Sequence, residues 1–534
     1  MKTSKWIALA MAALMAIAMV GCNTPIENDP EATPAPTGAP AIDTTPAPAE
    51  PVEGETIKPN LTVGVQLDLD MLDPQNSTQT VSTRMQPLFY ETLITWNPEN
   101  GYQPCLAESW KWESDTELVF KLRQGVLFHN GEELKSSDVK FSVERVMEVA
   151  RHASRYLMIQ EIVCDDDYTV RFVTDGPNDK LVAMLSRVQY GAAIMNEKFV
   201  TEVGEDISKS VCGTGPYKLQ SWVAGETLIA ERNEQYWGEP GASETITFRV
   251  MSEDTSRVIA LETGEIDIAE TLPSTDVERV QSTDGLAAYE KESVAITYWD
   301  FNTAKEDSPF NNALVREAMN YAVDRNAVMK AVGGSCIYMT VLSSGMEGYD
   351  ANVGSQFTYD EEKAKSLLAE AGYADGFTAT LYVKSSDSQT TMAATVIQAY
   401  AANVGVTIDI ISLESTAMMA ELKDGEHDSY ILTASNVDSY TGFIFFYSQT
   451  APSGGNRMFY SNPEMDELYE KLPTISDPAE RQTILTRMQE IAVADCAWCP
   501  LYGQSFYVGA SENVKGILLD SLGFHNYSYA YVTE

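Results

Sequence analysis

The residues best suited to chemistry in this 534-residue chain are few, and most fall out of any catalytic pattern. The four histidines, His129, His152, His427 and His525, are the first candidates for bases and metal ligands. None has a second histidine at ligand spacing, so a zinc site of the HExxH kind is absent. No Gly-x-Ser-x-Gly nucleophile elbow and no phosphate-binding P-loop occurs. Gly213-Thr214-Gly215-Pro216 has paired glycines, but Pro216 and the missing third glycine spoil a dinucleotide reading. Cys496-Ala-Trp-Cys499 is a lone CxxC, weak as a redox pair without a partner motif. For most of the six cysteines beyond Cys22 (Cys105, Cys164, Cys212, Cys336, Cys496 and Cys499) the expectation is a small buried hydrophobe. Acid runs such as Asp165-Asp166-Asp167 are expected to be solvated surface. No catalytic residue, metal site or cofactor is expected, and a binding protein is favoured over an enzyme. The segment with the right chemistry for binding is Ala434-Ser435-Asn436-Val437-Asp438-Ser439-Tyr440, followed by Phe443 to Tyr447. It offers an acid, polar groups and aromatic walls, the composition of a small-ligand pocket.

The elements around that segment explain why it matters. Phe377 to Val383 is strand-like, Thr391 to Asn403 helical, Val406 to Ile411 strand-like, Thr416 to Leu422 helical and Tyr430 to Thr433 strand-like. This alternation is a βαβαβ unit, hence a parallel sheet with right-handed crossovers. Ligands in such sheets sit beyond the carboxyl ends of the strands, where the Ser435–Tyr440 segment falls. Elsewhere Leu61 to Leu67 alternates like an opening strand and breaks at Asp73-Pro74. Ser136-Ser137-Asp138 starts a helix with Val139, Val143, Val146 and Ala150 on one face. Ala313 to Val323 is a further helix, Asp360 caps another that Gly372 stops, and Asp477-Pro478-Ala479-Glu480 is a helix start. The chain is mixed α/β.

The N-terminus carries an address. Lys2 and Lys5 precede the apolar run Trp6 to Val20, which is short for a membrane span and ends at Gly21-Cys22. Ala18-Met19-Val20-Gly21-Cys22 resembles a bacterial lipobox, with Met19 where Leu is usual, so residues 1–21 are expected to be a signal peptide and Cys22 to be lipidated. Residues 22–56, rich in Pro, Ala, Thr and acid, have little to bury and are expected as a disordered tether. The net charge of −42 becomes −44 once Lys2 and Lys5 are removed. So acidic a body repels nucleic acid and anionic lipid surfaces, and suits a soluble domain outside the cell. The expected location is the extracytoplasmic face of the cell membrane.

A series of blocks then resembles a known family. Tyr90-Glu91-Thr92-Leu93, Leu106-Ala107-Glu108-Ser109-Trp110, Leu122 to Gly131 and Ser137-Asp138-Val139 come first. Gly213 to Tyr217, Arg232 to Trp237, Gly264-Glu265-Ile266-Asp267, Phe301-Asn302, Val315-Arg316-Glu317-Ala318 and Ala322 to Arg325 follow. Tyr359 to Ala364 and Ala369 to Tyr373 close it. Their order and content resemble the family 5 extracellular solute-binding proteins, the dipeptide, oligopeptide and nickel binders of ABC importers. The match runs from about residue 57 to the C-terminus.

The resemblance implies a type II periplasmic-binding-protein fold, two lobes with a hinge and an extra subdomain in the first. Lobe I would be 57–295 with the subdomain at about 92–205, lobe II 296–500, and 501–534 a return to lobe I. Ligand would be buried between closing lobes and delivered to ABC permease and ATPase subunits, with the protein acting as a monomer. His129 falls in a structural signature, so a folding role is implied. Cys105, Cys212 and Cys499 stand where the family holds small apolar residues. Peptide binders of the family carry Trp-x-x-Asp after the lobe II strand, the acid holding the α-ammonium; here Asp438 matches and Ser435 replaces Trp. Ser435, Asn436, Asp438, Tyr440 and Phe443, with Asn302, Met71 and Tyr502, form the expected ligand-contacting set. The expected ligand is a di- or oligopeptide. The alternatives are a non-peptide solute in the same role (a nickel complex, an oligosaccharide or an opine-like compound) or a surface adhesion or signalling lipoprotein.

Overall fold

The computed structural model describes Asp43–Thr44 and residues 56–534, apart from residues 78, 98–100, 154, 177–179, 437, 476 and 524. The expected signal peptide, Cys22 and most of the expected tether lie outside the described residues. Among the described residues no helix is long and apolar enough to cross a membrane.

One twisted sheet runs through the molecule. Its strands lie in the order Val406–Leu413, Phe377–Lys384, Ser429–Ser435, Leu286–Phe301, Trp498–Ser511, Ile268–Ala269, Asn60–Val65, Thr245–Val250, Thr227–Arg232 and Tyr217–Val223. The two long strands, Leu286–Phe301 and Trp498–Ser511, belong to both lobes. Residues 286–292 pair with 505–511, and 296–300 pair with 498–503. Between them the register shifts, so that Ser293–Ala295 face Gln504 alone. Such an interruption removes ladder hydrogen bonds and bends the strand, as expected of the pivot in a two-lobed fold. Gly503 sits beside the shift, and a Cβ there would lie 2.6 Å from Cys336 Sγ and 2.7 Å from the Tyr338 ring, so only glycine fits.

The expected βαβαβ unit forms lobe II's outer half. Phe377–Lys384, Val406–Leu413 and Ser429–Ser435 are parallel, with helices Ser388–Asn403 and Ser415–Asp424 crossing between them. Side chains of the shared strand alternate between two cores, as strand geometry requires. Trp299 and Phe301 pack with Leu381, Ile397 and Ile431 on one face, and Ile296 and Tyr298 with Phe443, Met488 and Trp498 on the other. The expected capping acids hold: Asp360 accepts from Lys363 N at 2.8 Å and Asp477 from Glu480 N at 2.8 Å.

In lobe I, Leu61, Val63 and Val65 fill the core beneath strand Asn60–Val65, packed against Phe248 and Val508. The extra subdomain is a separate antiparallel sheet, ordered Ala107–Ser114, Glu117–Leu122, Thr169–Thr174, Ile159–Asp166, with helix Ser136–Glu148 against it. Val139, Val143 and Val146 are buried on that helix as expected, but Ala150 opens a separate short helix because Val149 is extended. His129 joins two of the signature blocks: its N–H donates to Gly213 O at 2.8 Å and its Nε2 lies 3.1 Å from Gly215 O. Those glycines pass so close to the chain that a Cβ on Gly213 would sit 2.0 Å from Phe89 O. Burial holds His129 neutral, pushing its pKa down to about 4.

One detail departs from expectation. Asp43–Thr44, inside the stretch expected to be disordered, pairs in parallel with Tyr289 and Glu290. Ser429–Ser435 covers that edge of Leu286–Phe301 only at residues 295–301, leaving open backbone groups that an extended segment can take up. The six described cysteines are all unpaired, so Cys496 and Cys499 form no disulfide. Cys105, Cys212, Cys496 and Cys499 are buried, and Cys499 Sγ accepts from Arg325 Nη2 at 3.3 Å.

Candidate functional site

The carboxyl ends of the three parallel strands open toward the pivot, because Ser435 pairs with Ala295 at the register shift. The next residues turn at once into a short helix, Ser439–Phe443, capped by Asp438. Asp438 Oδ1 accepts from Thr441 N at 2.7 Å, and Thr441 Oγ1 is within 3.3 Å of Asp438 N, a reciprocal capping box. Asp438 Oδ2 has no partner among the described residues. Ser439 Oγ donates to Glu347 O, and the Glu347 carboxylate pairs with Arg481 through two bonds of 2.8 Å, anchoring the segment to helix Pro478–Asp495. Asn436 is buried, and its Nδ2 finds no partner among the described residues.

Tyr440 leaves the capped helix and stacks on Tyr469, ring centroids 4.2 Å apart, and Tyr469 stacks in turn on Tyr447 at 4.6 Å. Residues of lobe I's subdomain meet this face. Lys180 Nζ lies 3.3 Å from the centroid of the Tyr440 ring. Tyr190 and Tyr102 stand within the field of Asp438: burial first, and then the Asp438 carboxylate, raise the Tyr190 phenol. Burial, with Glu347 and Asp438 adding to it against Arg481 and Arg187, raises Tyr102 to about 12. Arg187 itself lies over the Trp96 ring at 4.8 Å. Tyrosines from separate segments therefore surround Asp438 at the end of a parallel strand, with Lys180 over the Tyr440 ring.

The expected site residues divide. Ser435, Asn436, Asp438 and Tyr440 are together by sequence, at the carboxyl end of strand Ser429–Ser435. Met71 is half-buried in the loop after strand Asn60–Val65, on the lobe I side; Asp70 accepts from Ser77 and Ser82 hydroxyls at 2.7 and 2.6 Å and fixes that loop. Phe443 is fully buried against Phe446 and so supports the segment from behind instead of walling the cleft. Asn302 is at the opposite end of the lobe II sheet, after the residue that pairs with Ser429. Its Nδ2 donates to Gly425 O and His427 O at 2.9 and 3.1 Å, and its Oδ1 accepts from Ala304 N and Lys305 N, so its amide is spent on a turn. Tyr502 is buried in the lobe II core against the pivot strand.

Four features are not legible in the sequence. Lys180, Tyr190 and the Tyr440–Tyr469–Tyr447 stack come from distant segments, and nothing in local spacing joins them. A cavity of about 250 Å³ beside the pivot, lined by Gln66, Leu67, Arg84, Glu270, Phe506 and His525, also escaped it. Arg84 and Glu270 form a 2.8 Å ion pair there, with the Glu270 side chain 2 % exposed. Among the described residues no group of three or more His, Cys, Asp or Glu could hold a metal ion.

Comparison with known proteins completes the assignment. Residues 101–456 match the model of the bacterial extracellular solute-binding proteins, family 5. The glutathione-binding protein GsiB of Escherichia coli K12 is 26% identical over 482 residues, covering 87% of this chain and 93% of its own. Among solved structures, HbpA2 from Haemophilus parasuis superposes with a TM-score of 0.82 at 22% identity, covering 89% of this chain and 100% of that one. The periplasmic binding protein DppA from Helicobacter pylori, in complex with the peptide STSA, gives a TM-score of 0.69 at 26% identity, covering 89% and 98%. These neighbours share the type II periplasmic-binding-protein fold, and the family binds solutes without transforming them. The sheet shared through two long strands, the acid-capped segment at the parallel strand ends and these matches together identify the chain as a member of the family 5 bacterial extracellular solute-binding proteins, the substrate-binding components of ABC importers.

Proposed function

We propose that this protein captures short peptides with a free amino terminus between its lobes, and that lipid on Cys22 holds it at the outer face of the membrane. The observation that carries the peptide reading is Asp438. It stands where a parallel sheet presents ligands, one carboxylate oxygen is spent on its helix cap, and the other has no partner among the described residues. An ammonium entering a closing cleft needs such a partner, because an unpaired charge out of water is costly. The names of the relatives agree in kind: glutathione and STSA are both short peptides. Ser435 in place of the family's Trp leaves room beside the acid.

The lobes divide, in this reading, at the register shift: residues 57–295 and 504–534 form lobe I and 296–503 lobe II, the expected return at 501 moving to 504 because Leu501 and Tyr502 pack in the lobe II core, with the working unit a monomer. Ligand shifts an open–closed equilibrium by binding the closed form better. Calorimetry with trialanine and N-acetyl-trialanine tests the peptide reading: the free amine is expected to bind and acetylation to abolish most of the affinity. Equal affinity for the two would remove Asp438 as the ammonium partner. For the anchor, Cys22→Ala is expected to move the protein from washed membranes to the soluble fraction, and retention would refute lipidation.

A further inference from the structure

The ammonium of Lys180 occupies the outer face of a three-tyrosine stack, and it comes from the other lobe. Lys180 opens the short helix Lys180–Met184, whose Leu181, Val182 and Met184 are buried in the subdomain core, so its backbone is fixed on lobe I. Tyr440 belongs to the segment capped by Asp438 on lobe II. At 3.3 Å from the ring centroid the Nζ lies well inside cation–π range. Behind Tyr440 the Tyr469 ring is 4.2 Å away at 27°, and Tyr447 follows at 4.6 Å and 24°. Each ring presents its negative face along the stack, so the outermost face is a fixed site for positive charge. The surroundings add to that field: Asp438 begins the same helix, and Glu470 accepts from the Tyr447 hydroxyl at 2.8 Å. Arg481, which is linked to this segment through Glu347, is engaged in its ion pair with that carboxylate.

We propose that the outer face of Tyr440 is a cation subsite of the cleft, and that Lys180 holds it as an internal stand-in which a cationic group of the ligand displaces. The subsite lies beside Asp438, and its use by a ligand rests on the cleft being the binding site. It makes two contributions. It selects ligands carrying a second positive group, such as a basic side chain or a quaternary ammonium, because only a cation recovers what Lys180 gives up. It also ties the subdomain to lobe II until such a group arrives.

The test reads Lys180 directly. Reductive methylation with ¹³C-formaldehyde gives each lysine a dimethylammonium that keeps its charge, and Lys180 is assigned by its loss in Lys180→Met. Ring current from Tyr440 is expected to shift the Lys180 signal upfield, and Tyr440→Leu to return it to the position of the exposed lysines. Titration with tetramethylammonium chloride, against sodium chloride at the same ionic strength, is expected to return it likewise. That probe has no peptide features, so this arm stands or falls independently of the peptide reading. In calorimetry Lys180→Met is expected to bind trilysine roughly 2- to 30-fold more tightly than wild type, the range of a cation–π contact. Trialanine, which carries no second cation, is expected to gain no affinity from Lys180→Met. An unshifted Lys180 signal, a signal that tetramethylammonium leaves in place, or weaker trilysine binding by Lys180→Met would each overturn the subsite.

Discussion

Replacing Asp438 with Asn separates what that residue does for the fold from what it does for the ligand. In the fold it is a helix cap, with Oδ1 accepting from Thr441 N at 2.7 Å. Asn caps helices about as well as Asp, so the amide keeps that bond and the stability change is expected to stay within about 0.5 kcal/mol. For a peptide the loss is one side of an ion pair in a cleft that closes. Such losses run from about 2 to 5 kcal/mol. Asp438 is only half-buried, which places the expected cost at the lower end, about 2–3 kcal/mol, or roughly 30- to 150-fold in affinity. Asp438→Ala loses the same ion pair and also the cap, for a further destabilisation of about 1 kcal/mol. The assay is calorimetry with trialanine beside thermal melts of wild type and both variants. Equal peptide affinity in wild type and Asp438→Asn would refute the ammonium role. A large drop in melting temperature in Asp438→Asn would show that the cap geometry depends on the charge.

Asn302→Ala removes four hydrogen bonds to the turn at the far end of lobe II, so it is expected to destabilise the protein by about 2 kcal/mol or more while leaving peptide affinity of the folded protein unchanged; a selective loss of binding in calorimetry would return Asn302 to the site. Acid is expected to weaken the fold through buried histidines: burial depresses His129 and His427 to about 4 and His525 to about 3. Each folded value lies below the ordinary 6.5, so the unfolded chain binds more protons as pH falls, and stability present above pH 6.5 is lost progressively toward pH 4, by about 2 kcal/mol per histidine at pH 5. Urea midpoints at pH 7 and pH 5 measure this, and His427→Gln should flatten the difference by one histidine's share; an unchanged pH dependence in that variant would contradict it.

Much of the scaffold was legible because its signals are local. The caps Asp360 and Asp477, the period-two strands and the alternation from Phe377 to Ser435 each depend on a few neighbouring residues. Asp438 could be placed at the end of a parallel strand on the same grounds. Local signals could not tell that Phe443 turns inward, since a five-residue helix directs Tyr440 and Phe443 to different surroundings and hydrophobicity alone does not say which faces the core. Asn302 was misplaced because it follows a strand antiparallel to Ser429–Ser435, so its end of the sheet is the one away from the pivot. Lys180 and Tyr440 are brought together only by how the subdomain meets lobe II, and no periodicity encodes such a contact. The strand at Asp43–Thr44 was invisible for a different reason: composition marks a segment as unable to build a core, yet it can still pair with an open edge.

The central claim, a peptide held between the lobes by its amino terminus, is tested most directly by mass spectrometry of what the protein carries. Protein purified from its own cells without denaturation, then denatured, should release a set of short peptides with free amino termini, and Asp438→Asn purified in parallel should release far less of the same set. Release of a single non-peptide solute, or of the same peptides in the same amounts from Asp438→Asn, would contradict the account.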